Sequence, residues 1–201
     1  MKIYQVGENV MKIILIRHAK VQIDNPTIAS FEMNSFIEAY NTASIQPFDI
    51  SNRLKSLIDS VDSVFTSNLS RTKESAKYLG IEIDKSSDIF NEAGLPYANW
   101  TFFKLPATLW ALLFRMMWLF GYANNSESYK EAKIRATIAA DSLLECTQNN
   151  KTVLFIGHGV MNKLISKELK CRGVFLIEKS GNENLGYSIF NADNIKEKNN
   201  V

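Results

Sequence analysis

An α/β layered fold with a mostly parallel central sheet is predicted by three features of this sequence. Short β-branched apolar runs recur along the chain. Amphipathic helical patterns lie between them. Both histidines stand directly after such a run. Runs that are apolar at every position suit strands covered on both faces, as in a parallel sheet. Alternation of such strands with helices builds the layers.

The elements follow in order. Met11 to Ile16, MKIILI, reads as the first strand. It restarts a pattern after a polar leader, so the first ten residues are expected to be a loose leader or a mis-assigned start. Ser51 to Val61 reads as a helix with Leu54, Leu57 and Ile58 on one face. Val64-Phe65-Thr66 is a second strand. Ser70 to Leu79 reads as a helix, with Ser70 as its cap and Gly80 as its stop. Ser126 to Cys146 is a long amphipathic helix with acid near its start. Thr152 to Ile156 is a strand, and Val160 to Leu169 a helix. Gly173 to Ile177 and Tyr187 to Phe190 read as further strands, the second after the turn-like SGNENLG. The tail NADNIKEKNNV is polar and expected to fray.

A chain of 201 residues suits a single domain with a sizeable core. It is 46% hydrophobic and 22% charged, which excludes disorder. A net charge of +2 is too small to indicate nucleic acid or an anionic membrane. Cys146 and Cys171 stand far apart, outside any CxxC pair, and read as reduced thiols of a cytoplasmic protein. The N-terminus has no apolar core of signal-peptide length.

The chemistry concentrates at strand ends. His18 sits in LIRHAK and His158 in FIGHG, each where a predicted strand finishes. In open α/β sheets that edge is where ligands bind. TSNLSR places Arg71 at the start of the helix after a third strand. Two imidazoles with Arg17 and Arg71 read as a pocket for a dianionic phosphate, since a guanidinium fork matches phosphate oxygens. A helix N-terminus adds donors. A neutral histidine can attack phosphorus and split one hard displacement into two. A carboxyl group must then protonate the leaving oxygen. Glu92, in FNEAGLP, is the candidate, with Glu82, Asp84 and Asp88 nearby.

These pieces resemble the histidine phosphatase superfamily, and within it the phosphoglycerate mutase-like branch. LIRHAK resembles its RHG motif, and TSNLSRTKESA its S-x-L-x-R-A-x-x-T-A segment. NEAGLP resembles its L-x-E-x-x-x-G segment, FIGHG its S-H-G motif, and SESYKEAKIRA its G-E-S helix start. The resemblance implies a three-layer α/β/α sandwich. It implies a phosphorylated nucleophile at His18, a phosphoryl site of Arg17, Arg71 and His158, and an acid at Glu92. It implies no metal and no organic cofactor. Gly159 after His158 separates the chain from the acid phosphatase branch, where an aspartate follows the second histidine. Four positions depart from the pattern. Ala19 replaces a glycine, Gly157 replaces a serine, and Lys20 and Asp24 stand where mutases carry glutamate and asparagine, with Asn25 next door. They point away from a true phosphoglycerate mutase and leave the core groups intact.

Residues 96–125 form an apolar helical insertion. Leu105 to Tyr122 is apolar all round apart from Arg115. The first reading is a buried helix or a lid over the pocket, with Trp100, Lys104 and Arg115 contacting substrate. A homodimer interface through 105–122 is the second, and membrane contact the third. The chain is expected to act on a small phosphorylated substrate as a metal-independent phosphatase. The alternatives are a mutase-like phosphotransferase, a phosphohistidine protein phosphatase, or a non-catalytic binding module.

Overall fold

The computed structural model describes residues 11–148 and 151–193. The expected loose leader and the tail beyond Asp193 lie outside the described residues. In chain order the elements are β1 (Lys12–Arg17), β2 (Thr27–Ala29), α1 (Met33–Thr42), α2 (Asn52–Ile58), β3 (Ser63–Ser67), α3 (Ser70–Leu79), β4 (Lys85–Ser87), β5 (Lys104–Pro106), α4 (Ala107–Leu119), α5 (Tyr129–Cys146), β6 (Thr152–Gly157), α6 (Gly159–Cys171), β7 (Phe175–Lys179) and β8 (Tyr187–Asn191).

Six strands form the central sheet in the order β4-β3-β6-β1-β8-β7. The β4-β3, β3-β6 and β6-β1 pairs are parallel, and β8 runs against both β1 and β7. The expected mostly parallel sheet is therefore present, with one reversed strand. β6 enters between β1 and β3, so strands distant in sequence become neighbours.

Alternate residues of the central strands face opposite helical layers. Ile13, Leu15, Phe65, Val153 and Phe155 join Ala136, Ala139 and Leu143 of α5 and Met161 and Ile165 of α6 in one core. Ile14, Ile16, Val64, Leu154 and Ile156 join Leu54 and Leu57 of α2 and Ala76 and Leu79 of α3 in the other. These two cores give the three layers. They also explain why β1 and β6 read as unbroken apolar runs: both faces are covered.

Local chemistry sets the helix ends. Gly80 closes α3 with φ 72, a left-handed conformation that glycine adopts without strain. Ser70 is not the cap of α3: Leu69 holds that position, and the Ser70 hydroxyl bonds Glu74 instead. Residues 126–128 stay outside α5, because Ser128 and Glu131 form a reciprocal capping box there. β7 starts two residues later than the sequence suggests, after Gly173 with φ 88 turns the chain out of α6.

A third apolar cluster stands apart from the sheet. Trp110 and Phe114 of α4, Met33, Phe36 and Ile37 of α1, and Ala98 and Leu105 form it, with β2 pairing antiparallel to β5 beneath. The apolar insertion is thus half core. Trp110, Phe114 and Trp118 are buried, whereas Leu109, Leu112, Met116 and Leu119 on the opposite face are exposed. The expectation of a helix buried on both sides is corrected accordingly. Among the described residues no helix is long and apolar enough to cross a membrane.

Candidate active site

The register of the central strands builds the site. Arg17 on β1 pairs with Gly157 on β6, so His18 and His158 leave the same sheet edge side by side. The His18 amide donates to the Gly157 carbonyl at 3.0 Å and fixes that register one residue further. The two imidazole centroids are 5.2 Å apart with rings inclined at 60°. Both residues are buried.

Hydrogen bonds decide the tautomers. His18 Nδ1 lies 2.6 Å from the Ala19 carbonyl oxygen. A carbonyl oxygen only accepts, so Nδ1 carries the proton and Nε2 keeps its lone pair. Burial, then the charge of Arg71, lowers the His18 pKa from 6.5 to about 3, so the ring is neutral at neutral pH. His158 Nδ1 accepts from Arg71 Nε at 3.3 Å, because a guanidinium has nothing but donors. His158 Nε2 therefore donates to Ser67 Oγ, 2.8 Å away. Burial, with the charge of Arg71 next, pushes the His158 pKa well below its ordinary value.

Two guanidiniums complete the set. Arg71, in the first turn of α3, is buried, bonds Asn41 Oδ1 at 2.9 Å and lies over the Tyr40 ring at 5.1 Å. Arg17 Nη1 donates to the Asn182 carbonyl at 3.0 Å, while its Nε is buried without a partner among the described residues. A buried donor left unmatched is costly, and an anion beside it would satisfy it.

Glu92 reaches this centre by capping a helix. Its carboxylate accepts from the amides of Val160 at 3.2 Å and Met161 at 2.9 Å, in the first turn of α6 after His158. The α6 N-terminus thus holds this carboxylate, where the helix dipole favours negative charge. Glu92 also stabilises the charge on Arg71.

The arrangement is a neutral imidazole with a free lone pair, two guanidiniums, a second neutral imidazole and a carboxyl group around one strand edge. The model of the histidine phosphatase superfamily (branch 1) matches residues 13–198. The chain belongs to this superfamily.

Solved structures agree at the level of fold. An open-reading-frame product of Mycobacterium tuberculosis is 18% identical, with 77% of each chain covered and a TM-score of 0.50. A phosphoserine phosphatase of Entamoeba histolytica, in complex with phosphoserine, is 15% identical, with 89% of each chain covered and a TM-score of 0.50. No curated protein matches the chain.

The departures from the superfamily pattern have local explanations. Ala19 is tolerated because it does not adopt positive φ; among the described residues only Asn125 and Leu185 do so without being glycine. A Cβ at Gly157 would meet Asn162 Oδ1 at 2.2 Å and the Phe155 ring at 2.3 Å, so a serine does not fit this packing. Asn162 uses that space to accept the His158 amide at 3.1 Å while donating to the Ile16 carbonyl at 3.0 Å. Asn25 accepts from the Thr108 amide at 3.0 Å and so caps α4. Lys20 and Asp24 are exposed.

The expected lid contacts do not gather at the site. Trp100 packs against Trp110 and Phe114, and Lys104 is exposed on β5. Arg115 turns inward and donates to the carbonyls of Gly94 at 2.9 Å and Ala93 at 2.8 Å. These three residues line neither of the cavities that adjoin Arg17 and Glu92. The reason is packing: α4 buries its aromatic face against α1, Trp100 joins that aromatic cluster, and Arg115 on the same helix is turned to the loop carbonyls. Of the other nearby acids, Asp84 bonds the Val64 amide and Asp88 bonds Asn68 and Asn91.

Arg135 and Glu127 escaped the sequence reading. Arg135 on α5 donates to the carbonyls of Ile89 at 3.0 Å and Asn91 at 2.6 Å and pairs with Glu127. Glu127 in turn accepts from the Gly94 amide at 2.9 Å. With Arg115 they clamp both sides of Glu92. The only sequence signal was the G-E-S-like helix start, which includes Glu127 and gives no hint of Arg135. Ser67, Asn41, Asn162 and Asn184 were also missed as second partners; Asn184 donates to the His18 carbonyl at 2.8 Å.

Proposed function

We propose that the chain is a metal-independent phosphatase that hydrolyses a phosphomonoester through a phosphohistidine on His18. In the first step His18 Nε2 attacks phosphorus. The ester P–O bond breaks, and the leaving oxygen takes a proton from Glu92. In the second, the Glu92 carboxylate removes a proton from water, the oxygen attacks phosphorus, and the N–P bond breaks to release inorganic phosphate. Arg17 and Arg71 hold the phosphoryl oxygens, where charge develops, and His158 joins them by turning its Nε2–H from Ser67 Oγ to the substrate.

The observation that carries the reading is the 2.6 Å bond from His18 Nδ1 to the Ala19 carbonyl. It leaves the free lone pair on Nε2, and burial with the charge of Arg71 keeps that lone pair unprotonated at neutral pH. Free thiols at Cys146 and Cys171 suit the cytoplasm. The test is phosphate release from an aryl phosphate with EDTA present, comparing the wild type with His18→Ala. Activity that survives EDTA and vanishes in the variant supports the proposal. A labelled phosphoryl group that stays on the protein in base and leaves in acid identifies the intermediate. Full activity in His18→Ala, or loss of wild-type activity in EDTA, refutes it.

A second reading, a mutase-like phosphotransferase, draws on the burial of His18, which is 2% exposed. It requires an isomeric ester as product with no net release of phosphate.

A further inference from the structure

A groove runs from the catalytic centre along α6, between that helix and the β7–β8 edge of the sheet. It encloses about 280 Å³. Arg17, His158 and Gly159 form its inner end, and Lys163, Lys167, Lys170 and Lys179 line its length with no aspartate or glutamate among the lining residues. The three lysines of α6 are spaced four and three residues apart, so they share one helix face. From Gly159 to Lys170 that face extends for roughly 16 Å.

Such a cluster needs an explanation. The whole chain carries a net charge of +2, yet five cations meet in this one concavity. Like charges at these spacings repel and destabilise a helix. The helix dipole accounts for Lys170 in the last turn of α6 but not for Lys163, Lys167 or Lys179. None of the five is ion-paired among the described residues. The neighbouring carboxylates are engaged elsewhere, Glu168 with Arg172 and Glu178 with Arg53. Glu183, whose carboxylate packs near Gly181, is outside the lining. Arg17 joins the two regions: it lines the groove, and its buried Nε has no partner among the described residues.

We propose that the α6 groove binds further phosphate groups of the substrate, so that the substrate is a polyphosphorylated monoester with an extended anionic leaving group. This rests on the phosphatase reading at His18, which places the scissile phosphoryl group at the Arg17 end. Lys163 lies one turn from that end and takes the next phosphate. Lys167 and Lys170 take groups further out. Ammonium groups suit this task as point charges that impose no fixed geometry on phosphate.

The test uses inhibition of aryl phosphate hydrolysis by inorganic orthophosphate and by inorganic tripolyphosphate, without divalent metals. In the wild type, tripolyphosphate competes with the aryl phosphate and binds at least about tenfold more tightly than orthophosphate. The advantage shrinks as salt is raised. Lys163→Gln/Lys167→Gln removes most of the advantage. Lys130→Gln/Lys133→Gln, an equal change of charge on α5, leaves it in place. Three results overturn the proposal: no advantage in the wild type, equal loss in both double variants, or tripolyphosphate inhibition that is not competitive. The last would make the groove a site for a separate polyanion. If the wild type does not hydrolyse the aryl phosphate, the phosphatase reading fails by itself. Calorimetric titration of tripolyphosphate into the same proteins then still decides whether the groove binds it.

Discussion

Glu92 and Met161 are joined by a 2.9 Å hydrogen bond from the Met161 amide to the carboxylate. The residue proposed as acid is therefore also the cap of the helix that begins after His158. Its position is set by backbone donors, which a side-chain rotation does not disturb. The acid is thus anchored to the same helix start that His158 precedes.

Replacing the acid is expected to separate these two roles. Glu92→Gln keeps an acceptor for one α6 amide and cannot transfer a proton. Hydrolysis of an alkyl phosphate, whose leaving oxygen needs protonation, should fall by about 10²–10⁴-fold. Nitrophenyl phosphate, with its weakly basic leaving group, should suffer much less. The comparison of kcat on the two esters checks this. Equal losses would assign Glu92 to capping alone.

The clamp behind Glu92 should act through position. Arg135→Ala removes the donors to Ile89 and Asn91 and leaves Glu127 unpaired. Stability is expected to fall by about 2–3 kcal/mol. The kcat for the alkyl ester should fall more than that for nitrophenyl phosphate, because the acid is misplaced and the phosphoryl site is not. Arg135→Lys should recover less than half of the stability, since an ammonium lacks the planar fork.

Stability should depend on pH through the two buried histidines. His18 titrates at about 3 in the folded protein against an ordinary 6.5, and His158 is lowered in the same direction. The unfolded chain binds protons as pH falls below 6.5, while the folded chain does not. Stability that is complete above 6.5 is thus lost on acidification, by up to about 1.4 kcal/mol per pH unit for each histidine. The lowered carboxylates, Asp88, Glu131 and Glu178, add to this only below their ordinary values of 3.8 and 4.5. Urea midpoints between pH 7 and 5.5 therefore isolate the histidines. The slope should flatten in His158→Gln, and an equally steep slope there would contradict the assignment.

Restoring the superfamily's serine should do harm. Gly157→Ser forces its Cβ against Asn162 Oδ1 and the Phe155 ring. Overpacking of this kind costs about 1–3 kcal/mol. Thermal unfolding reads the loss, and the pair Gly157→Ser/Asn162→Ala should recover part of it by clearing the side-chain oxygen.

Much of the site was legible because its groups are local. His18, Arg17, Arg71 and His158 each follow an apolar strand within one or two turns of chain, and strand ends share an edge once the strands are parallel. Glu92 was identified by its loop and by resemblance. Its partners were not, because amide donors of α6 carry no sequence signal. Helix α1 was missed for a related reason. Its stretch MNSFIEAYNT carries Met33, Phe36, Ile37 and Tyr40 at helical spacing, but Met33 alone of them is fully buried, and the partner that covers this face, α4, comes from far along the chain.

The sequence by itself determined the two-faced apolar strands, the helices between them, and the residue types at their ends, since these follow from local periodicity and side-chain chemistry. Tertiary structure alone decided the rest. Reversal of β8 depends on its neighbours, for a short apolar run has no direction of its own. Arg115 faces the acid loop because α4 buries Trp110 and Phe114 against α1. The α6 groove collects Arg17 and four lysines from separate elements because β8 and β7 close the sheet beside that helix. Such contacts join residues far apart in the chain, and no local pattern records them.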